Sequence, residues 1–142
     1  MASSYTYDLQ FNYRNGKETA KLTIAITAHT DGSVTGFGTN DMTYFDGENY
    51  TRKLKGFNMI SVDTFPGAGS DAPDAYTVDI LDDTTPALTV VDIPNRSTSA
   101  AERFIVSNTT GYWDDADCEY NFTIGNLGAS NKTTVVCNFK QD

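Results

Sequence analysis

The sequence predicts an all-β protein: a single-domain β-sandwich of jelly-roll-like form, with about eight to ten strands, spanning residues 1–142. Three observations predict it. Apolar and polar residues alternate in several runs of strand length, the pattern of a chain with one buried and one wet face. Clusters of Gly, Asp, Asn and Pro punctuate those runs at short intervals. Thr and Asn are plentiful, helix formers are few, and Tyr and Phe number eight each, a mix that favours strands and turns.

The organising run lies mid-chain, at Asp71–Asp83. Tyr76, Val78 and Ile80 alternate with Thr77 and Asp79, after an entry closed by Pro73 and before a stop at Asp82-Asp83-Thr84. It reads as a central strand. At the N-terminus Tyr5, Tyr7, Leu9, Phe11 and Tyr13 alternate with polar residues, then Asn15-Gly16 supplies a two-residue turn. Leu22, Ile24 and Ile26 carry the return strand, Ala20 to Ala28, and complete a hairpin. Asp31-Gly32 turns the chain into a short strand around Ser33–Gly36. Residues from about Gly38 to Asn49 read as a loop, although Met42, Tyr44 and Phe45 must rest on something. One or two strands lie between Tyr50 and Phe65, with a slip in the apolar faces that indicates a bulge. Phe65 to Pro73 is a loop, and Asp82–Pro86 a turn into a strand at Ala87–Val91. Ser99–Glu102 could form one helical turn capped by Ser97 or Ser99, or could stay irregular. Phe104–Val106 is a short strand and Gly111–Asp117 a loop. Cys118, Tyr120, Phe122 and Ile124 alternate, residues 125–132 turn, and Val135, Cys137 and Phe139 alternate back, the expectation being a second hairpin.

Composition narrows the function. The formal net charge is −9, so binding of nucleic acid through phosphates is disfavoured. The short basic run Arg52-Lys-Leu-Lys55 reads as the outer face of a strand. Met1-Ala-Ser-Ser leads into Tyr5 with no basic-then-apolar leader, and no stretch has the length of a membrane span. The expectation is synthesis in a host cytoplasm, no membrane partner, and sequons at Asn49, Asn95, Asn108, Asn121 and Asn131 that stay unmodified. Two cysteines make no disulfide framework; shared parity places Cys118 and Cys137 on inward faces of adjacent antiparallel strands, both reduced.

Catalytic kits are missing. His29 is the only histidine, beside a turn and with no motif around either Cys, so a nucleophile–His arrangement has nothing to build on. One His and two separated Cys match no zinc spacing. The acidic clusters Asp114–Glu119 and Asp71/Asp74 with Asp82/Asp83 fit no twelve-residue calcium loop and read as solvated turns. No carboxylate pair sits in a recognisable cleft for glycoside hydrolysis. Gly67-Ala-Gly69 lacks the Lys and the helix of a phosphate loop. No cofactor is expected, and no catalytic residue.

From about Thr27 to Phe139 the order of landmarks resembles a group of small tailed-phage virion proteins. The landmarks are Thr30-Asp-Gly-Ser-Val-Thr-Gly36, Pro66-Gly67, Ala72-Pro73-Asp74-Ala-Tyr76-Thr-Val-Asp-Ile-Leu-Asp82, Asn95-Arg-Ser97 and Phe122–Phe139. Size, acidity and the all-β reading also look like phage capsid cement or decoration proteins, commonly sandwich or jelly-roll trimers. The resemblance implies a non-enzymatic virion subunit, with the major capsid protein as partner and a homotrimer as its form. The residues expected at an interface are Tyr5 and Tyr7, on a terminal strand that can be lent to a neighbour, and Tyr44, Phe45, Tyr112 and Trp113, large aromatics in irregular segments. Two other classes compete: a carbohydrate-binding or adhesin-like module with Tyr112 and Trp113 stacking on sugar, and a small β-sandwich enzyme.

Overall fold

A computed structural model describes residues 2–14, 16–83, 89–106 and 119–141. Its nine strands are β1 (Ser4–Arg14), β2 (Lys17–Thr27), β3 (Phe37–Gly38), β4 (Phe57–Pro66), β5 (Tyr76–Leu81), β6 (Thr89–Arg96), β7 (Glu102–Ile105), β8 (Asn121–Gly125) and β9 (Lys132–Gln141), with one short helix, α1 (Tyr50–Lys53). They form two antiparallel sheets, ordered β1-β2-β9-β4-β7 and β3-β8-β5-β6. The pairs β2·β9, β3·β8, β4·β7 and β5·β6 nest inside one another along the chain. One long antiparallel ribbon, β2–β5 running out and β6–β9 running back, is thus rolled into a sandwich, the connectivity of a jelly roll. β1 is an extra strand on the edge of the larger sheet.

Period-two patterning sets the faces. β5 alternates buried and half-buried residues along its whole length and lies inside the smaller sheet, as the mid-chain run predicts. The N-terminal hairpin forms in one unbroken register from Ser4↔Thr27 to Arg14↔Lys17. β4 shifts register between Met59 and Ser61, the bulge indicated by its slipped faces. Leu22, Val62, Val135, Cys137 and Phe139 of one sheet and Tyr76, Val78, Ile80, Ile93 and Phe122 of the other belong to one core. Tyr76 reaches across it, and its hydroxyl hydrogen-bonds that of Thr133 at 2.6 Å.

Four expectations are corrected. The short strand lies at Phe37–Gly38 and not at Ser33–Gly36. Asp31 Oδ1 accepts from both the backbone N–H and the hydroxyl of Ser33, which prolongs the turn, and Phe37 is the residue with rings to stack on. Arg52-Lys-Leu-Lys55 is not a strand face: α1 begins there because the Asn49 side chain accepts from Arg52 N–H at 2.9 Å, and it buries Tyr50, Thr51 and Leu54. Ser99–Glu102 forms no helical turn. Ser97 Oγ does accept from the N–H groups of Ser99 and Ala100, but Glu102 opens β7.

The fourth correction is the largest. β8 and β9 form no hairpin, because they belong to opposite sheets. The connection carries Leu127 into the core, and its carbonyl accepts from Asp74 N–H and the Asn131 side chain. Gly128 takes φ +93, and a Cβ there would collide with Asp74 and Asn131. Cys137 faces inward as expected, but its cross-strand neighbours are Leu22 and Val62. Cys118 lies outside the described residues, as do residues 84–88, which include the start of the expected strand Ala87–Val91; the observed strand runs from Thr89 to Arg96.

On the outer face of the smaller sheet Asp79 and Asp92 stand directly opposite each other. Desolvation first, and then the hydrogen bond and repulsion from Asp92, hold the Asp79 carboxyl above the usual carboxylate range. A carboxyl raised in the folded state contributes stability in acid, and that contribution is lost as pH rises through the folded value. Asp79→Asn should therefore raise the melting temperature by roughly 1–4 °C at neutral pH and give no gain below the unfolded value of about 3.8. Melting curves of both proteins across that pH range check it; an equal gain at every pH would sink the assignment.

Candidate interaction surface

The two sheets are unequal, and the surface follows from that. β1 is the edge strand of the larger sheet, and its aromatic face packs on β3 of the smaller sheet and on the segment that follows it, to Phe57. Tyr5 stacks on Phe37 with ring centroids 4.3 Å apart, and Phe37 stacks on Phe122. Tyr7 meets Tyr50 edge-on at 5.3 Å, and its hydroxyl accepts from Thr43 N–H. Phe11 meets Tyr44 and Phe57, each at 5.7 Å. Burial pushes the Tyr50 hydroxyl up to about 12, with Asp8 adding to the shift. The expected loop therefore contains a 3-10 turn at Thr39–Asp41 and a bridge between Thr43 and Asn49, and α1 follows it at the start of the stretch expected to hold strands. The Thr39 and Thr51 hydroxyls join these pieces at 2.7 Å.

The segment presents one large apolar residue outward. Tyr44 turns in, with Lys53 Nζ 4.8 Å from its ring centroid. Phe45, next along, is 89% exposed. The turn beneath it is held from several sides. Tyr44 N–H donates to the Glu48 carbonyl, Gly47 N–H to the Tyr44 carbonyl, and Glu48 N–H to the Asp46 side chain. Lys53 Nζ lies 2.7 Å from Asp46 Oδ2, and this hydrogen bond holds the Asp46 carboxyl below the usual range. Gly47 takes φ +89, where a side chain would be strained.

Of the expected interface residues, Tyr5, Tyr7, Tyr44 and Phe45 thus gather along one side of the molecule. Tyr5 and Tyr44 are half-buried packing residues, Tyr7 is 36% exposed, and Phe45 is largely exposed with one side of its ring against Tyr44, centroids 4.4 Å apart. Tyr112 and Trp113 lie outside the described residues. Sequence reasoning missed Tyr13, 72% exposed at the end of β1. Its signal was present: the aromatic stripe continues past the last residue that residues 37–57 can cover. It also missed Ile60, Phe65 and Ile105, which are exposed on and beside the outer face of β4 and β7. Between them Arg103 grips Asp63 with two bonds, at 2.6 and 2.8 Å, and Asn138 donates to Asp63 as well.

No family model and no curated protein matches the chain. Among solved structures, one described as "CBM4 structure and function" aligns over 96% of this chain and 88% of its own, at 15% identity and a TM-score of 0.28. The β-sandwich assignment rests on the two sheets themselves.

Chemically, the described residues offer contact surface. No group of three metal-ligating side chains occurs among them. His29 sits at a loop edge, its Nδ1 accepting from Asp31 N–H at 3.1 Å. Burial, with Asp63 adding to it, pushes the Cys137 thiol far above its usual range, so it stays protonated. An open polar cleft of about 410 Å³ lies beside β3, where Glu119 Oε2 accepts from Asn40 N–H.

The two neighbours in the turn should separate stability from exposure. Tyr44→Ala removes three ring contacts and the Lys53 seat, and should cost about 2–3 kcal/mol. Phe45→Ala should cost under about 0.5 kcal/mol. Urea midpoints of the two variants measure this directly; equal losses would mean that Phe45 is packed in solution.

Proposed function

We propose that the chain is a non-enzymatic virion structural subunit, a capsid cement protein that binds neighbouring copies of a major capsid protein. One observation carries the reading: Phe45 is held fully outward by a turn whose backbone, Asp46, Gly47 and Lys53 are all committed to holding it. A large apolar side chain fixed in water is what an interface anchor looks like before its partner arrives. The run of landmarks shared with small tailed-phage virion proteins supports the kind of partner, and the jelly roll is a fold that such subunits use.

Mechanically, a cement subunit works by bridging. Each contact is weak, and several made at once to a fixed lattice raise the total affinity steeply. Burying Phe45 in an apolar pocket contributes about 2 kcal/mol, or about thirtyfold per site. The net charge of −9 keeps free subunits apart and favours docking on a basic patch.

Co-sedimentation with empty capsids of the phage that encodes the chain tests this. The wild-type protein should pellet with capsids, Phe45→Ala should bind about thirtyfold more weakly per site, and capsids lacking the protein should lose DNA at a lower temperature. Capsids of equal heat resistance with and without it would count against the cement role. Binding to a cell-surface glycan in their place would move the chain to the carbohydrate-binding class.

A further inference from the structure

We infer that β1 is the contact edge between two copies of this chain, which pair antiparallel about Leu9 and join their five-stranded sheets into one. The inference does not rest on the capsid reading and stands or falls by itself.

Four strands lie at sheet edges: β1, β7, β3 and β6. Three are protected in the ways that keep edges from pairing. β3 has two residues and β7 four. β6 carries Pro94 and breaks register with β5 twice. β1 is neither short nor broken, and its one cover among the described residues is the Tyr50 hydroxyl at the Leu9 N–H. It pairs with β2 over eleven positions without a shift, and contains neither Gly nor Pro. Beyond that ladder, no backbone-to-backbone bond among the described residues reaches Ser4–Arg14. The Leu9 N–H is directed at the Tyr50 hydroxyl and away from β2. Residues of the same parity in an antiparallel pair share that direction, so Tyr5, Tyr7, Phe11 and Tyr13 direct backbone groups outward, while the Leu9 N–H is engaged by Tyr50.

The residues then identify the occupant. Outward from Leu9 in either direction, the strand reads polar, aromatic, polar, aromatic: Gln10, Phe11, Asn12, Tyr13 one way and Asp8, Tyr7, Thr6, Tyr5 the other. An antiparallel pair centred on Leu9 sets Tyr7 against Phe11 and Tyr5 against Tyr13 on one face. On the other face Asp8 meets Gln10, and Thr6 meets Asn12. Asp8 never faces its own copy, whereas centring the pair on Asp8 would put two carboxylates together. The exposed Tyr13 and Tyr7 gain aromatic neighbours. The alternation that turns one face of β1 toward the core also makes the strand self-complementary in this register. The contact is isologous and closes at two subunits, in place of the three-fold form that capsid-lattice geometry suggested.

Thr6 and Asn12 allow a test of the register. Both are exposed, and their direct partners on β2 are the uncharged Ala25 and Thr19. Sedimentation equilibrium over the micromolar range should show wild-type protein associating to twice its 15.5 kDa mass. The double variant Thr6→Lys, Asn12→Lys sets ammonium groups against each other twice and should weaken the dimer at least about tenfold. The double variant Thr6→Glu, Asn12→Lys sets opposite charges together and should bind at least as tightly as wild type. Circular dichroism confirms that each is folded. Should the dilysine variant fail to fold, Tyr50→Phe decides: it frees the Leu9 N–H for the partner strand and should tighten the dimer. A wild-type monomer, a trimer indifferent to these charges, both charge variants moving the same way, or a weaker dimer in Tyr50→Phe would each overturn the inference.

Discussion

Five strands facing four is the constraint on which the rest of this structure depends. In a sandwich each sheet buries the apolar face of the other. Here the edge strand β1 of the larger sheet turns Tyr5, Tyr7, Leu9 and Phe11 toward β3 and the segment that follows it, while Tyr13 at its end stays largely exposed. Leaving those rings in water would forfeit much of the hydrophobic stabilisation they offer. The connection between β3 and β4 is therefore not free to wander. It must lay Phe37, Tyr44, Tyr50 and Phe57 against β1, and α1 is one step of that path. The turn bearing Phe45 exists because Tyr44 has to reach inward at the position before it. What looks like a functional loop is thus first a cover for an edge strand.

That double role explains which parts of the molecule were legible in the sequence. Alternation declares that a residue faces in or out, and it did so for β1, β2, β5 and β9. It does not say which strand lies alongside. Phe122 and Ile124, and then Val135, Cys137 and Phe139, alternate as a hairpin would, yet they point into the core from opposite sheets. What decides the crossing is the conformation of residues 126–131, with Asn126, Gly128 and Ser130 at positive φ and Leu127 buried between them. Asn and Ser adopt that region without announcing it. α1 was hidden for a similar reason. A four-residue helix has no period to read, and only its cap at Asn49 and the spacing of Tyr50 and Leu54 mark it.

The surface was half legible. Tyr44 and Phe45 stood out as large side chains in a polar segment, but neighbours on a turn point in different directions, and sequence cannot choose between them. Lys53 makes the choice: its amine sits over the Tyr44 ring and on Asp46 at once, which draws Tyr44 inward and leaves Phe45 outside. Similarly, Asp63 looks like one more acid in an acidic chain. In the fold it is nine-tenths enclosed, held by Arg103 and Asn138, with its carboxyl well below the usual range. Arg103 supplies the first cause of that shift, and the grip ties edge strand β7 to β4 across the outer face.

An acidic protein with one long, unbroken edge strand has to balance two hazards. Net charge far from zero opposes non-specific association, and it does so at long range, where orientation is not sensed. Backbone pairing along a strand acts only at contact and only in register. β1 holds a single acidic residue, Asp8, among its eleven, so the repulsion that keeps copies apart in solution is nearly absent at the edge itself. Charge therefore selects against random encounters and leaves the aligned one available. Chain-wide acidity and a nearly neutral edge strand together admit one geometry of self-contact in preference to open-ended aggregation, since a two-fold pairing consumes both exposed edges and presents no further copy of β1.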